Sequence, residues 1–301
     1  MSQSGSQAIP SISPANALQQ FCRAQIMLVA AGLRRQAHPH RGVHEARKGI
    51  RRLRSVIALG APRFGDAADK IDRALQRAGR GLSKLRDAHV AVELARKKAR
   101  EPIEAPLRAL WQRIIEMLVF ARSRVLHEAR EADADFLRRR QRVAGIAQAI
   151  SALRWDELDA ATLRAQLVYS EKRAVRAARR CDKKPDMQHL HTLRKRLRRQ
   201  RMQITALATI LDPSAAKVTL DGAVTTSVEF RGIVASRVRT LRQIAQKVDE
   251  IGAVLDAGLL RVAVRRLPQS QHRSAALALL KPSGNSGTVN RSQEQDVEQP
   301  S

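Results

Sequence analysis

One eleven-residue pattern occurs twice in this chain. His44-Glu45-Ala46-Arg47-Lys48-Gly49-Ile50-Arg51-Arg52-Leu53-Arg54 and His191-Thr192-Leu193-Arg194-Lys195-Arg196-Leu197-Arg198-Arg199-Gln200-Arg201 both read H-x-x-R-K-x-x-R-R-x-R. The two copies start 147 residues apart, near half the 301-residue length. A matched pair at that separation implies an internally repeated fold with the same element in each half. That element is a helix. At about 100° per residue, with His44 at zero, Arg47, Lys48, Arg51, Arg52 and Arg54 lie within roughly ±80°. Ala46, Ile50, Leu53 and Ile57 fall at roughly 180–240°, on the opposite face. The second copy repeats this, with Leu193, Leu197 and Ile204 behind His191, Arg194, Lys195, Arg198, Arg199 and Arg201.

An ordinary solvated helix face sets acids three or four residues from bases. Here Arg47–Arg51, Lys48–Arg51, Lys48–Arg52 and Arg51–Arg54 are like-charge neighbours instead. At about 0.2–0.5 kcal/mol each, four such pairs cost roughly 1–2 kcal/mol per helix. A cost taken at matched positions in both copies implies an anionic ligand. Arginine suits phosphate, since its planar fork of donors binds two oxygens at once. Ten cationic side chains in two rows suit a dense polyanion better than a small metabolite.

The remaining sequence agrees with an all-α fold. Helix-period segments run between brief Gly, Pro and Asp breaks, and no stretch sustains a β alternation. Helices are expected over 15–38, 43–60, 66–100 with a break near Gly81, 105–131, 136–153, 159–180, 187–211, 216–228, 230–250 and 251–266. Aromatic residues make up only 3%, which disfavours β sandwiches and nucleic-acid modules built on aromatic platforms. The net charge is +28, yet residues 1–20 carry none and residues 281–301 are slightly acidic, so the charge belongs to the folded body.

Other chemistries find little support. Cys22 and Cys181 sit in no motif and are expected to be reduced thiols of an intracellular protein. No apolar run reaches the 18–20 residues of a membrane span, and Ala24–Leu33 is expected to be a buried helix rather than a signal segment. His44 and His191 could move protons, but no paired carboxylate, nucleophile–base set or metal-ligand cluster accompanies them. No metal or cofactor is expected, and each histidine is read as a phosphate donor or a groove-fixing residue. A second basic row, Arg73, Arg77, Arg80 and Lys84, shares a face if its helix is continuous. Lys172, Arg173, Arg176, Arg179 and Arg180 form a further cluster, as open to ordinary surface charge as to ligand binding.

The paired motifs resemble those of the CHAD family, the conserved histidine α-helical domain. Val43 to Ser55 is similar to its first motif, Leu190 to Arg201 to its second, and Leu85-Arg86-Asp87-Ala88-His89-Val90 to a further segment. The counterpart of that segment near Val248-Asp249-Glu250 matches weakly. The resemblance covers about residues 15–265, in halves of about 15–154 and 155–265, with a flexible leader over 1–14 and a flexible tail over 266–301. It implies two antiparallel four-helix bundles related by a pseudo-twofold, their basic helices lining a shared groove. It also implies non-enzymatic binding of inorganic polyphosphate and association with polyphosphate granules in the cytoplasm. The Glu-x-Glu-x-Lys signature of a fused triphosphate-tunnel domain is absent. Binding of nucleic acid in the same groove, and processing of polyphosphate as an enzyme, are the alternatives.

Overall fold

The computed structural model describes residues 11–214 and 220–280. Almost all of them are helical. In chain order the helices are α1 (Pro14–Arg34), α2 (Pro39–Phe64), α3 (Asp66–Arg80), α4 (Ser83–Ala99), α5 (Ala105–Ala132), α6 (Leu137–Ser151), α7 (Ala160–Lys183), α8 (Met187–Leu211), α9 (Val228–Val238), α10 (Leu241–Arg265) and α11 (Gln271–Leu279). Two-residue strands β1 (Ser11–Ile12) and β2 (Ala223–Val224) pair in parallel.

The helix starts are encoded locally. Ser13 accepts from Asn16 N at 3.1 Å just ahead of Pro14, Asp159 accepts from Thr162 N at 2.6 Å, and Asp186 accepts from His189 N at 2.8 Å. Each satisfies a backbone donor that the first helical turn leaves open. Buried Asp133 does the same for α6, taking hydrogen bonds from Arg138 N and Arg139 N and an ion pair from Arg139.

Helix α1 lies along α2, closely enough that a Cβ on Gly49 would come within 2.6 Å of Val29 Cγ2 and 3.2 Å of the Gln25 carbonyl oxygen. That approach is why the first motif carries glycine at position 49, where the second carries Arg196. Behind the cationic faces, Ala46, Ile50, Leu53 and Ile57 of α2 and Leu193 and Ile204 of α8 are buried, as the wheel requires, while Leu197 is half-buried. The largest core gathers α1, α2, α3 and α6 with parts of α7 to α10. A second joins α4 and α5 to the end of α10 and to α11, and a small third one lies among α7, α8 and α10. Burial therefore does not divide at the boundary expected near residues 154–155.

Four expectations change. Residues 220–227 are not helical: Asp221-Gly222 turns the chain, and Thr225 N donates to Ile12 O at 3.0 Å. The remainder of the helix expected there, 215–219, lies outside the described residues. The late helices break at Arg239–Thr240, not at Gly232 or after Glu250, and Gly252 sits inside α10. The first helix stops at Arg34. Finally, the tail expected to be flexible from 266 folds over 271–279. Ser270 caps α11, and Ala276 and Leu280 are buried in the core that holds Trp111, Ile114 and Leu118. The leader residues 1–10 and the tail residues 281–301 lie outside the described residues.

Cys22 and Cys181 are both free and buried. The 24–33 segment is part of α1, although Met27 and Leu28 are exposed. No helix among the described residues is long and apolar enough to cross a membrane.

Candidate functional site

Helices α2 and α8 cross at matching positions of the repeat. Ser55 Oγ lies 3.7 Å from Met202 Sδ, 147 residues away, and Gln203 Nε2 donates to Ser55 O at 3.1 Å. Equivalent residues facing one another are what a local twofold between the two helices would produce.

The arginines follow the same exchange. Arg51 and Arg198 are equivalent in the repeat: burial and then the charge of Arg198 pull the Arg51 guanidinium down to about 10, and burial and then the charge of Arg194 do the same to Arg198. Neither side chain makes a hydrogen bond or ion pair with a described residue, and Arg51 Nε is buried without a partner. Flanking them, Arg52 is set against Arg201, and Arg199 against Arg54. Each flanking pair takes one member from each copy, with the roles exchanged.

The flanks differ in how their charge is met. On one side Arg54 makes a two-pronged ion pair with Asp72 of α3, both contacts at 2.9 Å, and Arg199 reaches the same carboxylate at 4.0 Å. Arg54 and Arg199 therefore belong to a structural ion cluster as much as to an open face. On the other side Arg52 donates to Gln25 Oε1 at 3.0 Å, and Arg201 forms no ion pair with a described residue. Two other side chains are tied to neighbouring helices. Arg47 donates to Gly79 O at 2.7 Å and to Ser83 Oγ at 2.8 Å, closing the end of α3. Arg194 reaches Asp256 of α10 at 3.6 Å and lies across Gly252, where an added Cβ would overlap its guanidinium, 3.1 Å from Cζ.

These contacts locate the later counterpart of the Leu85-Arg86-Asp87 segment. Arg47 lies by Ser83 and feels the charge of Asp87; Arg194 lies by Gly252 and pairs with Asp256. Ser83 to Gly252 and Asp87 to Asp256 are both steps of 169 residues. The counterpart is thus Val254-Leu255-Asp256, not Val248-Asp249-Glu250. The 22 residues beyond the 147-residue step are an insertion between the second motif and α10.

His44 is half-buried and His191 exposed. Burial and then the charge of Arg86 hold His44 below the usual histidine range; burial, Lys195 and Arg194 do the same for His191. Lys48 is half-buried and Lys195 exposed, and neither forms an ion pair with a described residue. A carboxylate is not excluded from the neighbourhood. Glu45 raises the affinity of His44 for a proton, and Asp256 and Asp249 act on Arg198.

Motif reading alone misses part of the cationic face. His40, one turn before His44, stacks on His89 of α4, with ring centroids 5.1 Å apart and planes 5° from parallel. Both Nδ1 atoms are buried without partners. Burial, Arg122, His89 and Arg130 lower His40 to about 4, and His89 is lowered by burial and then by Arg86. Arg86 itself stands beside Arg47 and near Asp256. His40 was legible as a four-residue step on the same helix face. His89, Arg86 and Arg122 arrive from α4 and α5 by packing.

The second basic row does not hold together. The chain breaks at Gly81–Leu82, which puts Arg73, Arg77 and Arg80 on α3 and Lys84 on α4. All four are exposed. Arg77 lines a cavity with Arg138, Arg139, Arg142 and the core-side residue Ile50, so it faces away from the α2–α8 face. Among the described residues no three His, Cys, Asp or Glu side chains form a metal-binding group.

Comparison with known proteins agrees with this geometry. A family model described as the CHAD domain matches residues 17–226. Among solved structures, the crystal structure of the CHAD domain from the plant Ricinus communis is similar, with a TM-score of 0.56 and 20% identity over 91% of this chain and 85% of that one. That likeness concerns the fold. No curated protein matches the chain.

Proposed function

The chain belongs to the CHAD domain family, and from that premise we propose that it binds inorganic polyphosphate across the crossing of α2 and α8. One observation carries this reading. Arg51 and Arg198, the same position of the repeat, are half-buried, the charge of one bears on the other, and their side chains make no hydrogen bond or ion pair to a described residue. Protein arginines held in this way cost stability unless an anion completes them. Around them Lys48, Lys195, Arg201 and His44 extend the cationic surface, while Arg47 and Arg194 are braced by α3, α4 and α10. A chain of phosphates can accept from both central guanidiniums at once, because each presents a fork of donors.

The ligand carries charge at every unit and no base, which fits a face that offers arginine, lysine and histidine but no aromatic platform. The protein acts as a binder rather than an enzyme. The acids beside the motif arginines, Asp72, Asp87 and Asp256, are set against Arg54, Arg47 and Arg194 rather than free to hold a metal or take a proton. In the cell this binder is expected on cytoplasmic polyphosphate granules. A fluorescently tagged protein should collect there, and its Arg51→Gln/Arg198→Gln variant should disperse.

Binding is tested by titrating long-chain polyphosphate at two salt concentrations, with DNA and RNA of matched charge as competitors. If about eight phosphates are engaged, the slope of log K against log[salt] is near −6, so a fourfold rise in salt weakens binding by three to four decades. Equal displacement by nucleic acid, or no saturable binding at low salt, overturns the proposal. Incubation with polyphosphate and a divalent metal should release no phosphate.

A further inference from the structure

A second cationic cleft lies between α7 and α8, apart from the crossing with α2. On α7, Tyr169, Arg173, Arg176 and Arg180 follow one another at helical spacing, and Arg196 of α8 faces them across a cavity of about 360 Å³. At about 140° from His191 on the wheel, Arg196 points away from the Arg194–Arg198 row. None of the four arginine side chains forms an ion pair or hydrogen bond with a described residue. Their neighbours in the same half are different: Arg164 is bound to Glu229 at 2.5 Å and Arg237 to Glu171 at 2.6 Å. At the start of α8, Asp186 is already used by His189 N and Nδ1. Burial and then Arg173 lower Arg196, so two guanidiniums repel across the cleft.

The cleft has one feature that the α2–α8 face lacks. Tyr169 is the only tyrosine of the chain and is half exposed. The Arg173 guanidinium stacks over its ring, 5.5 Å from the centroid. A ring and a guanidinium stacked at the mouth of a cleft make a flat platform of the kind on which nucleobases stack. Beyond it, Arg173, Arg176 and Arg180 rise over about 10 Å of helix, enough for a short phosphate chain. At the other end the cleft continues past Tyr169 and Arg173 toward Ser170, Gln166 and Asp69. These are hydrogen-bonding groups of the kind a sugar or base edge uses.

The geometry points to a nucleoside-triphosphate site in the α7–α8 cleft, with the base on Tyr169 and Arg173 and the phosphates on Arg176, Arg180 and Arg196. It does not depend on polyphosphate binding at the α2–α8 face. The test is calorimetric titration with ATP, and separately with base-free tripolyphosphate, at about 50 mM salt without metal. It uses the full chain carrying Arg51→Gln/Arg198→Gln, so that the first face is disabled. ATP is expected to bind at one site and at least tenfold tighter than tripolyphosphate, in keeping with the stacking contribution of an aromatic side chain. Tyr169→Leu should erase that preference, Tyr169→Phe should keep it, and Arg176→Gln/Arg180→Gln should weaken both ligands. No saturable ATP binding, equal affinity for the two ligands, or a preference that survives Tyr169→Leu overturns the assignment. Because Tyr169 is on the surface, circular dichroism should show all variants folded. Failure of polyphosphate binding in the wild-type protein would leave these outcomes untouched.

Discussion

Replacing Arg51 by methionine should make the free protein more stable and the polyphosphate-bound protein less so. The reasoning starts from the guanidinium. Burial, then Arg198, Arg47, Arg86 and Arg194, take Arg51 from the ordinary arginine range down to about 10. A tenfold change in proton affinity is about 1.4 kcal/mol, so holding this charge in the fold costs roughly 3 kcal/mol at neutral pH. Water reaches one side of the residue, which reduces the relief on mutation to about 1–2 kcal/mol. Methionine keeps the length of the side chain and adapts to the packing around the stem. The sign follows from linkage. A base whose folded value is depressed destabilises the fold wherever it is charged, so the penalty is full at pH 7 and fades only as pH rises past 10.

Thermal unfolding reads this directly. For a domain above 150 residues, 1 kcal/mol moves Tm by about 2–4 °C, so Arg51→Met should melt roughly 2–8 °C higher without ligand. Saturating polyphosphate at about 100 times Kd adds near 2.7 kcal/mol to the wild type. The variant should gain much less at the same ligand concentration. Arg198→Met should behave alike, and the double variant should gain less than the sum of the two, because each removal already relieves the other. A free-state Tm that falls in Arg51→Met, or a ligand-induced rise equal to wild type, refutes the view that this pair is held for an anion.

Other outcomes follow from the same geometry. Affinity for polyphosphate should increase as pH falls from 8 toward 5 at constant ionic strength. His40, His44, His89 and His191 are depressed in the free protein and therefore neutral at pH 7, and a bound polyanion favours their charged forms. The free protein should meanwhile lose stability as pH drops through the unfolded histidine value near 6.5 toward about 4, where His40 protonates in the fold. A flat affinity profile between pH 8 and 5 would remove the histidines from the site. Arg54→Gln should cost roughly 1 kcal/mol in urea unfolding through the lost Asp72 pair, yet leave polyphosphate affinity within a few-fold of wild type. Gly252→Ala should push the Arg194 guanidinium off its resting place over α10. At about 0.5–1.5 kcal/mol for a displaced side chain, that should appear as a loss of polyphosphate affinity of up to about tenfold with helix content intact.

Much of the architecture could be read before any coordinates, because helices declare themselves through periodicity and caps. The buried stripe of α2 and the buried stripe of α8 are the residues that the wheel puts behind the cationic rows. The expectations that changed are those in which tertiary packing outweighed local preference. The break expected after Glu250 is absent, and a glycine inside α10 is what lets Arg194 lie flat against the helix. Residues 266–280 looked like the start of a polar tail, but Ala276 and Leu280 find an apolar seat on α5 that no local pattern announces. The two-residue pairing of β1 with β2 joins positions more than 200 apart and is too short to leave an alternation.

The site was half legible for a more specific reason. A repeat can be recognised at a fixed step only while nothing is inserted, and here the step changes from 147 to 169 after the second motif. The motif helices keep the first step, so their arginines could be paired by inspection. Their supports do not: Ser83 and Asp87 correspond to Gly252 and Asp256, and a search at the first step lands on Gly232-Ile233-Val234 instead. The mismatch also explains the asymmetry of the site. Arg47 is fixed by two hydrogen bonds, to a carbonyl and a hydroxyl. Its equivalent, Arg194, has only a glycine surface and a carboxylate at 3.6 Å. A guanidinium braced by neutral acceptors keeps its full charge for a ligand, whereas one facing a carboxylate must exchange that partner for phosphate. The first copy is therefore expected to carry more of the binding, and Arg47→Gln to cost more affinity than Arg194→Gln in the same polyphosphate titration. Equal losses would mean that the Asp256 contact is too loose to compete with the ligand.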